Sequence, residues 1–213
     1  AFPELFPASN AQEECIANAE DEAIERFVWG RWCDSDDVAH KSLTINLDAR
    51  AHWFGPFTDL VDILEQRLGR GTIHLVRPII ENSMRSVVLL FFEWGNGSVI
   101  SGGACSSATD EILGARRATS ELFRHGIAAT RLLSGGISPS DAYERRLHFF
   151  ASGQGRELFH RRMSASGSHP VRLPSWAIRT ILTHDFDDSV CVARAVLEGQ
   201  TPFLGEDPRR FCL

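Results

Sequence analysis

The sequence predicts an α+β fold: a mixed or antiparallel sheet with helices packed on one side of it. Three observations predict it. Ser86–Trp94 (SVVLLFFEW) is a continuous apolar run of β-branched and large residues, the pattern of a buried central strand. Asn96-Gly97 follows directly and turns the chain into Ser98–Ser101, giving an antiparallel hairpin. Long segments on either side of this hairpin, among them Asn10–Trp32 and Phe57–Leu68, carry apolar residues at helical spacing. A chain of 213 residues accommodates these elements in one domain, 1–213.

The elements follow in order. Residues 1–9 hold two prolines and no period, and read as a loop or edge segment. Asn10 suits a helix N-cap, with Glu13 at the capping-box position. Cys33-Asp34-Ser35-Asp36-Asp37 breaks that helix as an exposed acidic turn. Phe57, Leu60, Val61, Leu64 and Leu68 form one stripe of the next helix, which Gly69 and Gly71 end. Thr72–Ile80 reads as a strand. Gly102–Ser107 is a small-residue loop leading into a helix over Thr109–His125, and such a loop can cradle phosphate, although the residues alone favour a simple turn. Ser138–Phe150 and Glu157–Met163 are helical, Met163–Pro174 is a loop, Ser175–His184 reads as a helix, and Val190–Leu197 as a strand.

Composition narrows the function classes. The net charge of −6 and the lack of any Lys/Arg-rich run argue against a nucleic-acid-binding surface. Lys41 is the only lysine, so arginine supplies the remaining positive charge. The five cysteines are scattered without CxxC or Cys/His zinc spacing, which favours free thiols in a reducing, cytoplasmic setting. No apolar run reaches about 18 residues, so no membrane span is expected. There is no G-x-S-x-G elbow, and the eight histidines show no metal spacing. Cys105, placed before a helix, reads either as a nucleophile or as a small buried residue.

One stretch carries chemistry. On a helix turning about 100° per residue, Glu14, Asn18, Glu22 and Glu25 fall within roughly 80° of one another. Ile16, Ala19, Ala23, Ile24, Phe27 and Val28 cover the other side. Acids on one stripe repel unless a cation lies between them, and hard cations such as magnesium take oxygen ligands. A solvated acidic face has the same pattern.

The order Asn10, Glu14, Glu22, Glu25-Arg26 resembles the second nucleotide-binding helix of the YcaO family. Asn18, Glu22, Glu25 and Arg26 are also similar to that family's first ATP segment, and Asn10 and Glu14 at their offsets favour the second. SGGACSSATDEILGARRATSELF is similar to the family's third conserved segment, with Arg117 and Glu121 on the matching Arg and Glu. Arg124 stands where the family often has Gln. Val190–Gly199 resembles its C-terminal strand and turn, without the Pro-rich ending of many azoline-forming members. The resemblance implies ATP and magnesium as cofactors, with Asn10, Glu14, Glu22 and Glu25 holding metal. It places Arg26, Arg117 and Glu121 at the nucleotide. The implied activity is phosphorylation of a peptide backbone amide oxygen, as in cyclodehydration to thiazoles and oxazoles or in thioamide and amidine formation. The implied partners are a ribosomally made peptide, a ThiF-like or similar partner subunit, and in some relatives a second copy as a homodimer. It further implies that the chain is the C-terminal portion of a YcaO domain, with the first ATP segment ahead of Ala1. The alternatives are a non-catalytic scaffold with a degenerate ATP site and a carboxylate metal-binding domain without nucleotide. No catalytic base is assigned.

Overall fold

A computed structural model describes residues 8–95, 97–107, 110–136, 138–174, 184–186, 190–193, 195 and 197. Helix α1 (Ala8–Asp34) leads into strand β1 (His40–Ile45) and the short helix α2 (Arg50–Phe54), which is followed by α3 (Thr58–Leu68). Strands β2 (Gly71–Pro78), β3 (Arg85–Trp94) and β4 (Ser98–Ser107) come next. Helices α4 (Glu111–Ser134), α5 (Ala142–Ala151) and α6 (Arg156–Ser164) follow, and β5 (His184–Phe186) pairs with β6 (Val190–Val192). The main sheet has the order β1-β2-β3-β4 and is antiparallel throughout. The fold is therefore α+β, with β3 inside the sheet as its apolar run requires.

The helices lie on both faces of the sheet, not on one. The reason is in β3 itself. Val88, Leu90, Phe92 and Trp94 enter one core with Val61 and Leu64 of α3 and Ala115, Ala118 and Leu122 of α4. Val87, Leu89 and Phe91 enter a second core with Ile24, Val28, Trp29 and Trp32 of α1 and Phe159 of α6. A strand apolar at every position has two faces to bury, and one helical layer covers only one of them.

Several boundaries move for local reasons. α1 begins at Ala8, so Asn10 lies inside the helix and is not its N-cap. Gly102–Ser107 is not a phosphate loop; it completes β4. Its small residues serve packing, because a Cβ on Gly102 would stand 2.5 Å from the Ala118 carbonyl oxygen, and closer still to the Leu122 nitrogen. α4 starts at Glu111 and runs on to Ser134. Asp110 caps it, accepting the Leu113 N–H at 2.8 Å. Asp141 caps α5 in the same way through Glu144 N–H at 2.8 Å, so that helix begins after Ser138-Pro139. β1 and α2 have no counterpart among the sequence expectations. Gly97, at φ +91°, makes the β3–β4 turn in a conformation that suits glycine, while Asn96 lies outside the described residues. Most of Ser175–His184 also lies outside them, and His184 opens β5. The turn at 198–200 lies outside as well.

α6 is tied down at two points in its C-terminal half. Arg162, only 5% exposed, holds Asp36 and the Cys33 carbonyl just beyond and within the end of α1. Glu93 of β3 accepts from His74 at 3.2 Å and pairs with His160 at 2.9 Å.

The Asp110 cap yields a simple prediction. Asp110→Ala should cost about 1 kcal/mol, because it orphans an N–H in the first turn of α4. Urea unfolding would read this as a lower midpoint with an unchanged slope. An unchanged midpoint would deny the cap.

Candidate functional site

Two helices from opposite layers bring their acids to the outer edge of β4. Among the described residues this strand ends the sheet, so every second residue turns backbone groups outward with no neighbouring strand to take them. Glu121 of α4 reaches one of these groups and accepts the Gly103 N–H at 2.6 Å. Glu25 of α1 accepts the Cys105 N–H. Gly103 makes the approach on the α1 side possible. A Cβ there would stand 2.6 Å from the Trp29 ring and 2.9 Å from Glu25 Oε1. The Gly-Gly pair thus lets one helix close on each face of a single strand.

The electrostatics follow from this enclosure. The Glu25 carboxyl is pushed up to about 8, by burial first, then by the charge of Glu121, then by Glu22; Arg26 and the Cys105 N–H oppose the rise. Glu121 is also raised, again by burial first, against the pull of the Gly103 N–H, Arg124 and Arg26. Two acids that cannot both ionise cheaply in a low-dielectric place share a deficit of positive charge. Arg26 forms an ion pair with Glu22 at the exposed rim. Tyr143 of α5, pushed up to about 12 by burial and by Glu121, borders the α4 side.

The residues expected from sequence divide cleanly. Glu22, Glu25, Arg26 and Glu121 come together. Glu14 is exposed, and at about 1.5 Å per residue it stands roughly 12 Å from Glu22 along the helix. Arg117 is exposed on α4, and among the described residues no ion pair joins it to Glu121. The side chain of Asn10 lies outside the described residues. Cys105 is not an activated nucleophile. Its thiol is buried in β4 and pushed up to about 12, by burial first and then by Asp21, to which it is hydrogen-bonded. Asp21 is held in turn by Arg85. Arg124, which stands where the resembled family often has Gln, Tyr143 and the outward N–H groups of β4 complete the surroundings; of the last, only the adjacent glycines gave a hint in the sequence.

The donor set fits magnesium in kind, being all carboxylate oxygen with too little positive charge around it. Among the described residues, however, no group of three or more His, Cys, Asp or Glu side chains is already arranged as a metal shell. A separate open groove of about 500 Å³ is lined by Ile24, Met84, Arg85 and Arg172. Its arginines are taken up by Asp21 and, at 2.8 Å, by Glu81. Among the described residues no helix is long and apolar enough to cross a membrane.

Compared with known protein families, with curated proteins and with solved structures, the chain matches none.

Proposed function

We propose that this chain carries the carboxylate wall of an ATP- and magnesium-dependent site that activates a peptide backbone amide, as its resemblance to the YcaO family implies. One observation carries the reading. Glu25 and Glu121 belong to two segments assigned to the nucleotide from sequence alone, and they meet at one strand edge despite their separation along the chain. Glu22, Glu25 and Glu121 would hold magnesium, with Arg26 and Arg124 toward phosphate. The metal, when bound, supplies neutralisation of charge on the transferring phosphoryl group. The chain's own part is to present two under-neutralised acids, Glu25 and Glu121, that burial raises, with Glu22 at the exposed rim beside them. The product is an azoline, thioamide or amidine according to what attacks the activated amide.

A second reading is a non-catalytic scaffold that binds a peptide or a partner subunit. It is favoured by the lack of a preformed metal shell among the described residues and by the pairing of Arg26 with Glu22.

Calorimetry with magnesium and ATP separates the two readings, run on this chain and on any longer form. The enzyme reading expects magnesium-dependent ATP binding, with peptide-stimulated hydrolysis, and expects both to vanish in Glu22→Ala and Glu121→Ala. Hydrolysis unchanged in both variants would sink it. No binding by any form would leave the scaffold.

A further inference from the structure

The outer edge of β4 is gripped at three successive outward positions. The Ser101 carbonyl accepts from His125 Nδ1 at 2.6 Å, Gly103 N–H donates to Glu121, and Cys105 N–H donates to Glu25. The first two grips come from one helix. Glu121 and His125 are four residues apart on α4, a rise of about 6 Å. Ser101 and Gly103 are two residues apart on β4, a rise of about 6.8 Å. Helix and strand therefore run in step here, and each grip fixes the register of the other.

His125 is only 7% exposed. Burial, aided by Arg124, holds its imidazole below the ordinary range although the Ser101 carbonyl pulls the other way. A carbonyl can only accept, so the proton of the neutral ring is on Nδ1. The bond is buried, short and of fixed tautomer, which makes it a firm anchor one helical turn from Glu121.

We infer that His125 is a positioning residue of the two-carboxylate site: by holding the Ser101 carbonyl it sets where Gly103 N–H meets Glu121, and thereby how Glu121 stands relative to Glu25. Its effect on cation affinity rests on the proposed function, whereas its effect on the strand edge does not.

The test compares His125→Asn with His125→Gln. The Asn amide nitrogen falls near the place of Nδ1 and the Gln amide nitrogen near that of Nε2, so only His125→Asn keeps the donor where Ser101 needs it. Hydrogen exchange at Gly103 N–H, measured against Leu90 N–H as a core reference, reads the edge. Titration with magnesium in the presence of ATP reads the site. His125→Gln should lose about tenfold in Gly103 protection and about tenfold in magnesium–ATP affinity, while His125→Asn stays near wild type in both. Equal protection in the two variants would overturn the inference. Should His125→Gln not fold, the folded His125→Asn decides alone: retained Gly103 protection supports the anchor, and loss of it overturns the anchor. If no form of the protein, this chain or a longer one, binds magnesium–ATP, the proposed function is refuted, and the exchange data still decide the role of His125.

Discussion

Glu25→Gln should make the cation-free protein more stable than wild type at pH 8, by about 2–4 kcal/mol, and leave it nearly unchanged at pH 4. The folded-state carboxyl sits at about 8, above its ordinary value of 4.5. Between those values the folded protein keeps a proton that the unfolded chain gives up. Stability from this group is therefore fully present below 4.5 and is lost as pH rises toward 8. Each unit of the gap corresponds to about 1.4 kcal/mol, and the partial exposure of the residue reduces the total. A neutral carboxamide of the same shape avoids the loss. Urea unfolding of both proteins at several pH values tests this directly. The two curves should converge in acid and separate in base, and separation in the opposite sense would refute the burial of the acid. The same variant should lose magnesium–ATP binding, so the residue that weakens the fold is the one the proposed site requires.

Gly102→Ala should cost about 3 kcal/mol, a large effect for one methyl group. The new Cβ would press on the Ala118 carbonyl and the Leu122 nitrogen, which are backbone atoms of α4 and cannot rotate aside. Relief requires the whole helix to lift from β4. Gly103→Ala presses instead on the Trp29 ring and the Glu25 carboxylate, which are side chains on the opposite layer. Its cost should be the smaller of the two, and its effect on the site the more direct. Thermal unfolding of both variants gives the order; Gly103→Ala proving the more destabilising would contradict the close approach of α4 at Gly102.

Much of the fold was legible because apolar pattern and tertiary burial agree. β3 is buried on both sides and reads so; α3 and α6 carry their periods openly. The layer on the second face was also implicit in β3, since Val87, Leu89 and Phe91 need a cover as much as Val88, Leu90 and Phe92 do. β1 did carry a period-2 signal, with Leu43, Ile45 and Leu47 alternating with Thr44 and Asn46, but the run is short and polar on its N-terminal side, and only Ile45 of the strand is buried. Gly102-Gly103 misled in the other direction. Glycine argues for a turn until a helix backbone is found against it, and that contact is a fact of three dimensions. In the site, the residue types of Glu22, Glu25 and Glu121 were legible. That Glu25 and Glu121 arrive from opposite layers and hold the same strand was not, because nothing local encodes which helix lies on which face.

The two ends of the sheet are unequal. At β4, side chains from both layers occupy the outward backbone groups, whereas β1 carries four exposed residues in a row with Lys41 as its only guarding charge. Growth of this sheet by addition of strands is therefore polar. Among the described residues no strand lies against the outer edge of β1, so two chains meeting there would bury both edges and present β4 at each end. Such an assembly would stop at two, and a fibre built on strand pairing would have no second edge from which to extend.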